Sequence, residues 1–251
     1  MPVDSRPVQQ TGDRALVVVP AWNESESLPS VLAELRGLAS HIDVLVVDDG
    51  STDGTADVVR AHGTPVVSLP FNVGVGGAMR AGFLYAARHG YAAVIQVDAD
   101  GQHDPADVPR LLAELDDGAD VVIGARFAGV GDYKVGGARR VAMRFLAGSL
   151  SRIAQVPLTD VTCGFRASSR RAVELFADEY PPEYLGDTIE SLVIACRHGL
   201  AVRQVAVELR PRLAGTPSQN SFKSIVYLGR AVLVLGLAVL HRGSTDRRDH
   251  A

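Results

Sequence analysis

Ile95-Gln96-Val97-Asp98-Ala99-Asp100-Gly101-Gln102-His103-Asp104-Pro105 is the stretch on which the reading of this chain turns. The apolar run over residues 92–97 predicts a buried strand, and it ends in two carboxylates one residue apart. Strands covered on both faces of a parallel sheet read as continuous runs of this kind. In open α/β sheets, ligands bind outside the carboxyl ends of the strands. Asp98 and Asp100, with the Gln102 amide oxygen nearby, offer hard oxygen donors to Mg2+ or Mn2+ and leave positions open for diphosphate oxygens. A turn followed by a helix cap is the plainer alternative. Asp104 before Pro105 has the form of an N-cap with proline at the first helical position, but capping gives Asp98 and Asp100 no reason.

The same ending recurs twice on the N-terminal side. An apolar strand over 15–19 runs into Pro20-Ala21-Trp22-Asn23-Glu24, and one over 42–47 runs into Asp48-Asp49-Gly50-Ser51-Thr52-Asp53-Gly54-Thr55. Helical spacing over 28–38 and 56–62 separates these strands from a weaker one at 65–69. Asn72-Val73-Gly74-Val75-Gly76-Gly77 then leads into a helix over 78–88, and a helix near 107–115 precedes a strand at 120–124. This alternation predicts an α/β fold with a mostly parallel sheet and crossover helices. In such a sheet the three acidic or polar endings share one edge. Each alone is as well explained by a turn; together they favour a nucleotide site, with Glu24 and Asp49 suited to a base or ribose. The glycine loop is not a dinucleotide fingerprint, because Met79 takes the third glycine position and the loop follows the third strand.

Beyond Gly124 the rhythm breaks. Residues 128–137 are glycine-rich and read as a mobile loop; a helix over 138–153 carries Arg139, Arg140 and Arg144. With Lys134 these arginines are either a solvated face or a site for a phosphate headgroup or anionic membrane. A compact segment over 159–167, helices at 170–177 and 187–198, a strand over 202–210, a polar loop and an apolar helix over 222–241 follow. That last helix needs a cover: the core, a second copy of the chain, a membrane-protein partner or a lipid interface.

Composition bounds the function. The chain has 251 residues, 47% hydrophobic and 22% charged, and a net charge of −4, with no dominant basic face for a nucleic acid. Cys163 and Cys196 lack metal spacing and suit a reducing compartment, the cytoplasm. Residues 1–13 contain no apolar signal core, and the longest apolar run, 231–240, is too short to span a bilayer. Peripheral attachment at the inner face of the membrane stays open.

Taken together, Pro20-Ala21-Trp22-Asn23-Glu24, Val47-Asp48-Asp49-Gly50-Ser51-Thr52-Asp53-Gly54, Asn72-Val73-Gly74 and Asp98-Ala99-Asp100-Gly101-Gln102 resemble the family 2 glycosyltransferases, which have the Rossmann-like GT-A fold. Within that family, Thr159-Asp160-Val161-Thr162-Cys163-Gly164-Phe165-Arg166 is similar to the Asp-Pro-Thr-Ser-Gly-Phe-Arg stretch of the dolichyl-phosphate mannose synthase group, with Val161 and Cys163 as departures. The resemblance implies one domain over 14–242, with a nucleotide-sugar half (14–127), an acceptor half (128–242) and disordered tails at 1–13 and 243–251. It implies that Pro20, Trp22, Glu24, Asp48 and Asp49 line the donor pocket, and that Asp98, Asp100 and Gln102 meet the metal. Arg126 resembles the basic residue facing the reaction centre. Gly215, Ser218 and Lys223 resemble a C-terminal loop that closes over the diphosphate; Gln219 stands where the group has lysine, so Arg210, Arg212 and Lys223 compete for that role.

The implied reaction is metal-dependent, inverting transfer of a sugar from a UDP- or GDP-sugar to a polyprenyl phosphate. A phosphate acceptor, with a second pKa of about 6, needs no general base; a hydroxyl acceptor does. Asp187 and Glu190 are candidates for that base, although Asp-x-x-Glu is also a capping box. Asp160 and Arg166 are candidate substrate contacts, with a surface ion pair as the alternative. Two other functions fit the same residues: a soluble transferase acting on a hydroxyl of a natural product or polysaccharide intermediate, and a nucleotide-sugar-binding module without turnover. Nucleotidyl transfer is disfavoured, since no glycine-rich triphosphate loop opens the chain.

Overall fold

The run after Arg14 forms strand β1 (Ala15–Ala21), with every residue buried. It lies between β2 (Ile42–Asp48) and β4 (Ala93–Gln96) and is parallel to both, pairing Ala21 with Asp48 and Val18 with Gln96. The computed structural model describes residues 13–125, 137–181 and 187–212, and within 137–145 the backbone alone. With β3 (Val66–Ser68), β5 (Val121–Ala125), β6 (Arg166–Ser169) and β7 (Val202–Ala206) the sheet has seven strands in the order β3-β2-β1-β4-β6-β5-β7. Only β6 among them runs antiparallel to its neighbours. The predicted mostly parallel α/β sheet is the one found.

Helices α1 (Leu28–Leu35), α2 (Thr55–Ala61), α3 (Val75–His89), α4 (Val108–Asp116), α5 (Gly137–Ala154), α6 (Arg170–Glu179) and α7 (Asp187–Arg197) connect and flank the strands. Val17, Val18 and Val19 are fully buried, and each such side chain contributes roughly 1.5–3 kcal/mol by leaving water. Helix α3 lies flush on β1, because a Cβ on Gly82 would stand 2.6 Å from Val18 Cγ1. The ring of Phe83 of α3 packs at a tilt against Phe176 and Tyr180, which pins α6 to the same face.

Two elements differ from expectation. The compact segment 159–167, for which the sequence predicts no strand, runs into one. Its Arg-Ala-Ser-Ser sequence has no β-branched residue, yet Arg166, Ala167 and Ser168 are buried because β4 and β5 supply ladder partners on both sides. Tertiary position overrides propensity there. The strand predicted over 202–210 ends at Ala206, and Leu209 instead makes an isolated antiparallel bridge with His103. Among the described residues no helix is long and apolar enough to cross a membrane. The tails, the 128–136 part of the glycine-rich loop and the apolar 222–241 segment lie outside the described residues.

Candidate active site

Strand order reverses between β1 and β4: from β1 the chain moves to β2 on one side, and β4 flanks it on the other. Loops diverge at such a point and leave a crevice at the carboxyl ends of the strands. The three acidic endings do share this edge, since β2, β1 and β4 are adjacent and parallel.

The first two endings are laced together. Asn23 adopts a left-handed conformation (φ 54°), and its Oδ1 accepts from the Thr52 N–H at 2.9 Å. The backbone N–H groups of Asn23 and Glu24 donate to Ser51 Oγ and Thr55 Oγ1. Asp48 braces its own turn by accepting from Ser51 N at 3.0 Å. Asp49 accepts from the backbone N–H groups of Val73 and Gly74, each at 2.8 Å, and so fastens the glycine loop to this edge. Burial pushes its pKa up, against those two hydrogen bonds. Gly50 has φ +66°, and a Cβ there would meet the Phe71 carbonyl carbon at 2.6 Å, which demands glycine. Pro20 is buried at the end of β1. Trp22 and Phe71, 42% and 66% exposed, are the large apolar side chains left open to solvent among the described residues. Both lie in loops at this edge.

The central loop holds its carboxylates from several sides. Gln96 Nε2 donates to Asp98 Oδ1 at 3.0 Å. His103, buried and stacked on Phe165 with centroids 4.9 Å apart, accepts the Asp98 backbone N–H at Nδ1. The ring proton therefore sits on Nε2, 3.7 Å from Asp98 Oδ2. Asp100 Oδ1 accepts from Gln102 N at 3.0 Å. The side-chain Nε2 of Gln102 reaches the Arg210 carbonyl at 3.5 Å, so Gln102 braces Asp100 and tethers the C-terminal segment. Asp104 caps the 3-10 turn Pro105–Asp107 through the Ala106 N–H, as its sequence predicts.

These residues fit a divalent cation. Burial, and then the neighbouring charge of Asp98, raises the pKa of Asp100; a bound cation would relieve both. Among the described residues no three His, Cys, Asp or Glu side chains converge as a complete ligand set. Two carboxylates, completed by diphosphate oxygens and water, match the way Mg2+ is held beside phosphates. An intrinsic cation already leans on the site: Arg212 lies 2.5 Å from Glu24 Oε1 and 3.5 Å from Asp100 Oδ2.

Because β6 is antiparallel, its first residue, Arg166, pairs with Gln96 at the same sheet edge. That register delivers the 160–165 loop to the carboxylates. A Cβ on Gly164 would come within 2.8 Å of Gln96 Nε2 and 3.3 Å of Asp98 Oδ2. The surface ion pair weighed for Asp160 and Arg166 is corrected, since both residues are buried. Arg166 donates to the carbonyls of Val161, Cys163 and Thr188 and to Ser191 Oγ, tying the loop to α7. Asp160 accepts from Thr162 and closes the loop on itself.

Asp187 opens α7 and is buried. Burial pushes its carboxyl up to about 6, with Asp98 adding to the shift and Arg166 and the Thr188 N–H opposing it. The Tyr180 hydroxyl donates to it at 3.4 Å, and burial beside Asp187 drives the phenol well above its ordinary range. Glu190 is half-buried one turn along the same helix. Arg126, Lys134, Ser218 and Lys223 lie outside the described residues, as do the side chains of Arg139, Arg140 and Arg144.

Sequence reading missed His103, Gln96, Gly164 and Tyr180. A glutamine inside an apolar strand and a histidine next to a carboxylate pair were available signals. Gly164 and Tyr180 become visible only once β6 is placed.

The sheet is of the GT-A type, with an acidic crevice at its switch point. The profile of glycosyl transferase family 2 matches residues 16–176, and the chain belongs to that family. It is 37% identical over 183 residues to a polyprenol monophosphomannose synthase of Mycolicibacterium smegmatis, covering 69% of this chain and 66% of the relative, just under two thirds. It is 42% identical over 176 residues to an undecaprenyl-phosphate mannosyltransferase of Micrococcus luteus, covering 66% of this chain and 72% of that one. Among solved structures, the glucosyl-3-phosphoglycerate synthase of Mycobacterium tuberculosis, in complex with Mn2+, UDP and glucosyl-3-phosphoglycerate, superposes with a TM-score of 0.68 at 26% identity, covering 91% of this chain and 80% of that one.

Proposed function

We propose that the chain transfers a sugar from a nucleoside diphosphate to a polyprenyl phosphate, inverting the anomeric carbon, with Mg2+ or Mn2+ held by Asp98 and Asp100. The observation that carries this reading is the carboxylate pair at the switch point, with Glu24 and Asp49 beside it on the same edge. The names of the two bacterial relatives support the lipid phosphate, and the Mn2+ and UDP of the solved neighbour support the donor and metal.

Glu24 and Asp49 present acceptors to the nucleoside, and the exposed indole of Trp22 offers a stacking face. When bound, the divalent ion supplies positive charge to the leaving diphosphate oxygen. Arg212, already at this edge, adds to that charge. Arg210 is turned away, clasped between Glu34 and Asp104. The resemblance assigns Arg126, Ser218 and Lys223 to the reaction centre and diphosphate as well. An acceptor phosphate arrives as an anion and attacks the anomeric carbon with no base.

Extraction of labelled product tests the acceptor. With polyprenyl phosphate and GDP- or UDP-sugar supplied, label should enter the organic phase, and Asp100→Ala should abolish that transfer. Label confined to water would remove the lipid acceptor, and binding without turnover over a panel of donors and acceptors would leave a non-catalytic module.

One observation favours a second reading. Asp187 is a buried carboxyl with a pKa near neutrality, facing the charge of Asp98, as a base for a hydroxyl acceptor requires. On that reading Asp187→Asn lowers kcat by orders of magnitude. On the phosphate reading it leaves kcat within about tenfold.

A further inference from the structure

Two arginines, two residues apart, are held in opposite ways. The backbone just before them and at the first is fixed to the central loop, by the His103–Leu209 bridge and by Arg210 N donating to Gln102 O at 2.9 Å. Arg210 is clasped by Glu34 at 2.5 Å and Asp104 at 2.6 Å, neither of them a site residue. Arg212 instead spans the crevice, with Nη2 on Glu24 beyond β1 and Nη1 near Asp100 beyond β4. Its side chain and that of Glu24 are only 22% and 11% exposed, so the contact is shielded from water.

We infer that Arg212 is a built-in counter-cation of the acidic edge, which opposes binding of a divalent ion alone and favours it once a nucleoside diphosphate is present. The inference rests on the reading of Asp98 and Asp100 as the metal carboxylates. A divalent ion on Asp100 would sit about 2 Å from a carboxylate oxygen, whose partner oxygen faces the guanidinium. Like charges that close destabilise one another, most of all where water is excluded. Arrival of a diphosphate reverses the sign: it gives the guanidinium oxygens to bind bidentately, and Arg212 then draws donor and metal in together. Because the chain is tethered at Leu209 and Arg210, Arg212 is delivered to the crevice and a swing of its side chain is enough to make the exchange. Two sites sharing one such group are linked by a coupling free energy that works equally in both directions.

Calorimetric titration of the full chain with Mn2+ alone, and with Mn2+ in saturating UDP or GDP, tests this without any turnover. The Arg212→Gln variant should bind Mn2+ alone about threefold to fivefold tighter than wild type, while the gain in Mn2+ affinity on adding nucleotide should shrink by about tenfold. Arg212→Lys, which keeps the charge, should fall between, and thermal melts of each variant check that the fold is intact. Unchanged or weaker binding of Mn2+ alone by Arg212→Gln, with wild type binding normally, would overturn the inference and leave the metal site standing. Wild type that binds no Mn2+ with either nucleotide would remove the site reading and this inference with it.

Discussion

Single side chains set the character of this site, and Asp187 shows it most clearly. Its folded pKa is about 6 against an ordinary 3.8. Between those values the unfolded chain gives up the proton while the folded chain keeps it, so stability falls as pH rises through that window. Two units correspond to roughly 3 kcal/mol lost by pH 7. Asp187→Asn should therefore match wild type near pH 4 and be more stable by about 1–3 kcal/mol at pH 7.5. Urea midpoints at the two pH values check this; an equal advantage at both would show that ionisation is not the cause. Gly164 works through space rather than charge. Gly164→Ala should push on Gln96 and Asp98, cost about 1–3 kcal/mol of stability and weaken Mn2+ binding measured by calorimetry. In the sequence Asp187 is legible only as a candidate base, because its capping pattern fits any helix start, and Gly164 stands in the 159–166 motif without its packing role showing until its neighbours are known. Asp98 and Asp100 were legible because two carboxylates after an apolar strand have few structural reasons to be there.

At the scale of elements, the parallel half was legible and β6 was not. Strands β1, β2 and β4 announce themselves as apolar runs, since both of their faces are covered. Strand β6 has three buried residues of low β propensity, one of them an arginine, and is defined by partners far away in sequence. Its reversal matters for the site, because it turns the 160–165 loop back toward the carboxylates. Arg166 makes that turn permanent through two bonds to the carbonyls of its own loop and two across to α7. Arg166→Met would leave the carbonyls of Val161, Cys163 and Thr188 with lost partners in a buried place, at a cost of about 2–4 kcal/mol. Chemical denaturation should show this loss, and Arg166→Lys should recover little of it, since one ammonium cannot span the fork of acceptors. A midpoint unchanged in Arg166→Met would mean that packing, not the guanidinium, holds β6 to α7.

For the whole molecule, the acidic edge gathers charge from elements that are distant in the chain: Glu24 after β1, Asp49 after β2, Asp98 and Asp100 after β4, and Asp187 at α7. Burying carboxylates and setting them near one another raises the free energy of the folded state, and Asp49, Asp100 and Asp187 all have pKa values raised first by burial and then by a neighbouring carboxylate. Folding tolerates that because the sheet beneath is rigid and apolar, and because Arg212 and backbone N–H groups offset part of it. A ligand that neutralises the edge should then stabilise the entire chain, since it binds only the folded form. Mn2+ with UDP or GDP at about a hundred times its dissociation constant should add about 2.7 kcal/mol, a rise of roughly 5–11 °C in Tm for a chain of this size. Asp100→Ala should lose that response, and its melting point without ligand should not fall below wild type, because one repelling charge has been removed. Differential scanning calorimetry reads both effects. A variant that melts lower without ligand would mean that Asp100 is held chiefly by the bonds it makes to Gln102 and Arg212, and that the edge is built for stability before it is built for charge.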